Sequence, residues 1–517
     1  MSNAILVNPP TDPYLLRAFE IENVRLGAAV AAMRAVLPSL RFLDADMEGM
    51  NTADLSAVIN ADAPNMVVIH LMYRNLASGI ALAQYLHASP RPPLIVAFGH
   101  AATISAEDLL SREPSFAAIV RGTPEETLAD LARAWMKDEP WYGVSGLVLR
   151  SRDGLLVATP LRSALVNIDH LPPPVRDYLP ISLARSPIVE VLTSRGCHAR
   201  CSFCNVPLLS EGYNGYPWRG HSPDRVIDEL TELWEHYKVC HVEFVDDNFI
   251  GPGDAGRKRA IAIAEGIIGR KLPLTFQIHC RADDIELELF KVLKTAGLKT
   301  VHFGIESAIP RLMHRFGKHI SHQRIHKALA VLHQLGIGAV PSFIMFEPTI
   351  TLAELRQNLA FLSKHNLPHL ISPTEVIPFR GTLLTKTLAR EGLLAPDRFV
   401  VPGYIPEVRY LDERVEMLKT WWDRWQASVD EHFRMLLTTL TRSFYAGFEQ
   451  HTYDDQNQEK INAMFRKLKW YESDLVLGHI DVLTRETVCS ELSVEDIIHV
   501  AEDKVLHQLF ESMSATI

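Results

Sequence analysis

Residues 194–205 read SRGCHARCSFCN and place three of the chain's six cysteines, Cys197, Cys201 and Cys204, on one short stretch. The spacing is C-x3-C-x2-C, and it follows directly on an apolar, β-branched run, IVEVL at 188–192. Such a run has the composition of a buried strand, so the cysteines fall on the loop at its C-terminal end. Three thiolates on one loop can each ligate one iron of a cubane [4Fe–4S] cluster, leaving the fourth iron open to a small molecule. A structural zinc site would instead close with four Cys or His ligands, for which His198 and His221 are candidates. The first 196 residues contain no cysteine, which argues for a metal or redox site rather than a disulfide framework.

The chain around this loop has 517 residues, 47% of them hydrophobic and 22% charged, with a net charge of −10. That length predicts two to four domains. The acidic balance argues against nonspecific nucleic-acid binding, which needs excess basic charge to neutralise phosphates. The start, MSNAILVNPP, lacks the basic beginning and cleavage site of a signal peptide. No apolar run approaches the roughly 20 residues of a membrane span. The expectation is a soluble, cytoplasmic protein that binds neither nucleic acid nor membrane.

Moving outward, apolar strand-like runs alternate with helical patterns on both sides of the cysteines, giving an α/β fold class. Before them, strands are expected at 5–8, 41–44, 66–71, 94–98 and 118–121. Five such strands suit a flavodoxin-like or Rossmann-like doubly wound domain over 1–165, with its ligand at the C-terminal strand ends. A proline-rich connector, DHLPPPVRDYLP at 169–180, marks a semi-rigid linker over 166–186. Strands are expected again at 188–192, 241–245, 274–279, 300–304, 339–345 and 370–377. Over 187–395 these suit a partial (β/α)6 barrel with its chemistry at the C-terminal strand ends, or a second doubly wound sheet. Residues 396–517 read as mostly helical. Cys240, Cys280 and Cys489 read as small packing residues.

CHARCSFC resembles the cluster loop of radical S-adenosylmethionine (SAM) enzymes, including the aromatic Phe203 before the last cysteine. VDDNF at 245–249, HCRADD at 279–284 and FGIES at 303–307 are similar to the family's second, third and fourth strand ends. NPP at 8–10, LDAD at 43–46, AFGHAAT at 97–103 and RGTPEET at 121–127 resemble the cobalamin (B12)-binding domain that precedes the barrel in one large branch, the class B methyltransferase-like enzymes. The likeness spans roughly residues 1–395.

The resemblance implies a [4Fe–4S] cluster on Cys197, Cys201 and Cys204, with SAM chelated to its open iron. One-electron cleavage of SAM to a 5′-deoxyadenosyl radical would follow, and the cofactors would carry the hard chemistry. It implies SAM contacts at Asp246, Asp247, Asn248, Arg281, Glu306 and Ser307. Adjacent strand residues point to opposite sides, so at most one of the two aspartates touches SAM. Arg281 would meet the SAM carboxylate or pair with Asp283 or Asp284, and Lys318 reads as a solvated surface residue. FEPT at 346–349 departs from the family's glycine–proline turn, while Gly381 suits close backbone approach to a ligand.

Cobalamin contacts are implied at Asn8, Tyr73, Arg74, Gly99, Ala101, Thr103, Gly122 and Thr123. The first loop, NPPTDPYLL, has no histidine to ligate cobalt, and Arg74 is expected to face the lower side of the corrin. The expected activity is C-methylation of an unactivated carbon in a small molecule or an amino-acid- or peptide-derived substrate. A flavodoxin- or ferredoxin-type or chemical electron donor would serve it. Cyclisation, rearrangement or oxidation without methyl transfer is the alternative within the family. A zinc-stabilised binding or scaffold protein is the alternative outside it. His432, Phe433 and Tyr445 of the tail are aromatic or titratable candidates for touching substrate, and nothing in the sequence chooses among them.

Overall fold

A computed structural model describes residues 3–11, 21–151, 153–163, 167–210, 217–365, 367, 375–401 and 405–423. Seven strands build the first sheet: β1 (Ala4–Asn8), β2 (Arg41–Asp44), β3 (Met66–His70), β4 (Leu94–Phe98), β5 (Ala118–Val120), β6 (Leu147–Arg150) and β7 (Leu156–Ala158). They lie in the order β2-β1-β3-β4-β5-β6-β7. The first five pair in parallel, the doubly wound order expected from the sequence. Runs such as AILVN in β1 and MVVIH in β3 are buried along their whole length. That is the mark of a parallel sheet covered on both faces. The antiparallel extension β6 and β7 was not anticipated: β7 is mostly exposed and so lacks the apolar signature of its neighbours.

The proline-rich connector is fastened down rather than suspended. Val175 N donates to Gly27 O at 3.1 Å, and a Cβ on Gly27 would stand 2.5 Å from Val175 O. Tyr178 OH lies 3.1 Å from the Asp44 amide that donates to it.

The second unit begins with β8 (Ile188–Val191), followed by β9 (Ser194–Gly196), β10 (Trp218–Gly220), β11 (His241–Phe244), β12 (Thr275–Arg281), β13 (Leu298–Glu306) and β14 (Gly338–Phe343). Its sheet has the order β14-β13-β12-β11-β8, all parallel. Helices such as Pro223–Tyr237, Gly253–Gly269 and His322–Leu335 cover one face with their buried apolar residues. The expected sixth strand lies outside the described residues up to 374; at its end Glu375 bridges Phe346 in parallel.

After the barrel, β15 (Leu394–Val401) and β16 (Ile405–Val408) form an antiparallel pair where the sequence suggested helix. Within IPEV, Ile405 and Val408 are buried and the two residues between them half-exposed; a three-residue spacing equally fits a helical face, so the segment carries no two-residue strand signal. Residues 413–423 are helical and bury Trp421 and Trp422. The remainder of the expected helical tail, with His432, Phe433, Tyr445 and Cys489, lies outside the described residues. Among the described residues no helix is long and apolar enough to cross a membrane.

Candidate active site

The cysteine loop leaves β9, which pairs antiparallel with β10 through Gly196 and Trp218. Gly196 turns the chain with φ of 79°, a conformation that favours glycine. Ser202 then pins the middle of the loop. Its amide donates to Phe316 O at 2.8 Å and its hydroxyl to Arg315 O at 2.7 Å, while its own carbonyl accepts from Leu384 N at 2.8 Å. Phe203 meets Phe316 edge-on with ring centroids 5.5 Å apart. Two residues between Cys201 and Cys204 therefore anchor the loop and leave the flanking thiols free to turn outward.

All three thiols line one cleft of about 320 Å³, together with Pro217, Gly381 and Lys386. Gly381 has φ of 88°, so the glycine expected to permit close approach does border the thiol cleft. Burial pushes the Cys197 thiol up and Cys204 to about 12, with the neighbouring thiols and Asp247 adding to it. A bound cation reverses that preference by stabilising thiolate. His198 Nδ1, between two of the cysteines in sequence, is buried and has no hydrogen-bond partner among the described residues. His221, the other imidazole available to a zinc site, is bonded through Nδ1 to Asp169 at 3.0 Å. Among the described residues no three His, Cys, Asp or Glu side chains gather as a single-metal site. A three-thiol cleft with space beside it and an orphaned polar atom fits a multi-iron cluster with a co-substrate.

The six SAM positions divide in two. Asp246, Asn248 and Ser307 are buried and bonded within the scaffold. Asp246 accepts from Thr193 N at 2.9 Å, Thr193 Oγ1 at 3.0 Å and Ser194 Oγ at 2.7 Å. Asn248 bonds Gly251 N and Asp284, and Ser307 Oγ bonds Asn358 at 3.2 Å. These three are bonded into the strand ends.

The other three stand closer to the thiols. Asp247 Oδ2 accepts from Gly196 N at 3.1 Å, one residue before Cys197. Arg281 forms a two-point pair with Asp283 at 2.9 and 3.1 Å and lies within electrostatic reach of Cys201. Glu306 ends β13 at φ of 69°, a left-handed conformation rare for a side-chain-bearing residue and typical of functional sites. Its carboxylate accepts from Lys318 Nζ at 2.8 Å. Gly304 makes room, since a Cβ there would stand 2.1 Å from Glu306 Oε1 and 2.3 Å from Lys318 Nζ. Lys318 is 6% exposed, which overturns its reading as a solvated residue. Burial works against its charge, but Glu306 and Cys201 more than offset this and raise its pKa. Nothing in GKHI marks it as buried; only the fold over Gly304 does.

A second cleft opens at the C-terminal ends of the first sheet, against the cysteine loop. Gly99, Gly122 and Thr123 line it, as expected, with Arg195, Gly196 and Asp247 opposite. Also at its wall, and missed from sequence, are Arg25, His70, Met72, His100 and Arg219. His100 lay inside the quoted AFGHAAT, whereas His70 ends an otherwise apolar strand and gives no signal. Burial lowers His70 to a pKa of about 3 and His100 to about 4.

Other expected corrin contacts are turned inward. Asn8 bonds Asp44, His70 and Asn75. Ala101 is fully buried, Thr103 Oγ1 accepts from Gly122 N at 3.1 Å, and Tyr73 packs tilted against Phe379 with centroids 4.9 Å apart. Arg74 is half-buried, within electrostatic reach of Asp44 and His70. The cleft's volume is about 80 Å³, and the helix His100–Ile104 touches Val206–Ser210 across it. Among the described residues, the cleft as it stands is narrow.

Fold and site together define a two-unit α/β enzyme with a three-thiol loop at the mouth of a parallel sheet. The sequence profile of the Radical SAM superfamily matches residues 191–362. An uncharacterized methyltransferase of Pyrococcus horikoshii is 30% identical over 394 residues, covering 75% of this chain and 84% of that protein. Two solved cobalamin-dependent or cobalamin-bound enzymes share the fold. OxsB with aqua-cobalamin and SAM bound has a TM-score of 0.76 at 18% identity, covering 100% of this chain and 81% of that one. TsrM from Kitasatospora setae, with cobalamin and a [4Fe–4S] cluster bound, has 0.61 at 16%, covering 79% of each. The chain belongs to the radical SAM superfamily, and it shares its fold with those two cobalamin-bound enzymes. Cys197, Cys201 and Cys204 fit the cluster that this family uses, and the zinc-scaffold alternative falls away.

Proposed function

We propose that this chain is a cobalamin-dependent radical SAM methyltransferase that methylates carbon in a small molecule or an amino-acid- or peptide-derived substrate. The observation that carries the reading is the gathering of Cys197, Cys201 and Cys204 on one cleft, with the buried Lys318–Glu306 pair close by. When bound, the cluster and SAM supply one-electron cleavage of a carbon–sulfur bond and, through it, hydrogen abstraction from carbon.

The chain's own residues do the holding. The three thiols would hold the cluster, with the cleft beside them for SAM. Lys318 and Arg281 offer positive charge to a carboxylate, and Glu306 offers a carboxylate to an ammonium or ribose hydroxyl. Buried walls keep water from these charges and strengthen them.

Methyl transfer is supported by the methyltransferase relative, and a cobalamin partner by the first unit's fold and the position of its cleft. Uptake of cobalamin requires that His100–Ile104 and Val206–Ser210 part. The electron would come from a flavodoxin- or ferredoxin-type donor. Anaerobic reconstitution with iron and sulfide, then addition of SAM, cobalamin, reductant and substrate, tests the reading. The expected products are 5′-deoxyadenosine and a substrate heavier by one methyl. A product of unchanged carbon count, ring-closed or oxidised, would replace methyl transfer with the family's other chemistries.

A further inference from the structure

The reaction as read above leaves without a task the FEPT stretch at 346–349, where the sequence departs from the glycine–proline turn of the family. Its acidic residue, Glu347, is 0% exposed. A carboxylate buried so completely needs a partner for each oxygen. Oε1 accepts from Arg315 Nε at 2.6 Å, and Oε2 accepts from the Thr349 amide at 2.7 Å and the Thr349 hydroxyl at 2.6 Å. The rest of the Arg315 guanidinium grips Glu391, with Nη1 to Oε1 at 2.8 Å. One planar fork thereby joins three pieces of the chain: the short helix Pro310–Arg315, the FEPT stretch and the C-terminal cap of the helix Leu383–Arg390.

The helix Pro310–Arg315 ends in a tightly bonded turn. Gly317 N donates to His314 O at 2.9 Å and Lys318 N to Met313 O at 3.1 Å, with Gly317 at φ of 62°. In this pattern a left-handed glycine closes the helix and fixes the direction in which the chain leaves it. The turn touches both halves of the site. On one side, Arg315 O and Phe316 O accept from the hydroxyl and amide of Ser202, which lies between Cys201 and Cys204. On the other, Lys318 Nζ holds the Glu306 carboxylate, and Lys318 O accepts from Arg281 at 3.3 Å. Four consecutive residues, 315–318, therefore bridge the thiol loop and the residues assigned to SAM.

We infer that Glu347 is a positioning residue: by holding Arg315 it fixes the turn 315–318 and, through it, the spacing between the cysteine loop and the Lys318–Glu306 pair. Groups one step behind metal ligands set the ligands' geometry, and losing one costs roughly 10- to 100-fold in affinity or activity. The neighbouring pair Arg311–Glu354 starts from the same helix, but its arginine side chain is 45% exposed, so it is a surface contact of small weight. The inference rests on the radical SAM reading above.

The test uses the full-length enzyme, anaerobically reconstituted with iron and sulfide. The readouts are the electron paramagnetic resonance spectrum of the reduced cluster and the Kd for SAM. Glu347→Gln keeps the size of the side chain and removes its charge. Arg315→Met combined with Glu347→Leu removes both charges, so that neither is stranded in the core. In each variant iron content should stay at the wild-type level, while the g-values move and the Kd for SAM rises about tenfold. Glu354→Gln should change neither readout. An iron-loaded Glu347→Gln or double variant whose spectrum or Kd equals wild type would overturn the inference, as would equal changes in Glu354→Gln. Should Glu347→Gln fail to fold, the double variant decides alone. The wild type is read separately: a reduced, iron-loaded wild-type spectrum unmoved by SAM means that the radical SAM reading has failed, not the role of Glu347.

Discussion

Arg25, in the first turn of the helix Val24–Arg34, donates to Asp247 Oδ1 at 3.2 Å and to Val245 O at 2.8 Å. The other oxygen of Asp247 holds the Gly196 amide, next to Cys197. The first unit is thus two bonds from the cysteine loop, and Arg195 pairing with buried Glu125 fastens the same region a second time.

Arg25→Ala should loosen the loop without unfolding the protein. Losing a hydrogen bond to a charged group is worth about 1.5–3 kcal/mol, discounted at this partly exposed pair to about 1–2. Backbone hydrogen exchange across 194–205 should rise roughly 5- to 30-fold. Exchange equal to wild type would mean that the two units set their spacing elsewhere.

Cysteine replacement separates a cluster from mere packing. Cys201→Ala removes one of three iron ligands and should abolish the brown colour and the iron content after anaerobic reconstitution. Cys240→Ala, away from the cleft, should retain both. Iron analysis and visible absorbance check this, and a fully loaded Cys201→Ala protein would contradict the ligand set.

The pair Lys318–Glu306 is buried, so removing one partner strands the other. Lys318→Met should lower stability by about 3–5 kcal/mol, while the double change Lys318→Met with Glu306→Gln should recover most of it. If the two residues also contact SAM, the stabilised double variant will still bind SAM weakly, by about tenfold or more. Thermal unfolding and SAM titration check the two halves independently. Recovery of both would make the pair purely structural.

Acidification should destabilise the fold through its buried neutral imidazoles. His70, with a pKa near 3 against an ordinary 6.5, donates from Nδ1 to Asn8 Oδ1 at 3.1 Å. Because the folded value is depressed, stability is complete above about pH 6.5. It falls as the unfolded chain takes up the proton, by about 1.4 kcal/mol per pH unit down to the folded value. His221 and His241, both near 4, act in the same sense. Asp44, raised by burial to about 6, acts in the opposite sense as pH drops from 6 towards 3.8. Melting temperature against pH should therefore decline below about 6.5, and His70→Gln should flatten that slope.

Much of this was legible in the residues. Continuous apolar runs such as MVVIH and LIVAF located the first sheet because parallel strands are buried on both faces. The cysteine spacing located the cluster loop because one local segment supplies all three ligands. What escaped has a physical cause in each case. Lys318 is buried only because Gly304 leaves space for Glu306 to fold over it. The scaffold bonds of Asp246 and Ser307 were not legible because their partners, Thr193 and Asn358, lie about fifty residues away. The pairing of Glu347 with Arg315 spans 32 residues and likewise leaves no local signal.

The reduced, reconstituted protein observed by electron paramagnetic resonance before and after SAM is added tests the central claim most directly. A cube held by three thiols, with one iron left to the co-substrate, predicts a cluster signal whose g-values shift on SAM addition, with 5′-deoxyadenosine appearing as the reductant is consumed. A signal unmoved by SAM, or a colourless protein holding zinc on Cys197, Cys201 and Cys204, would contradict it.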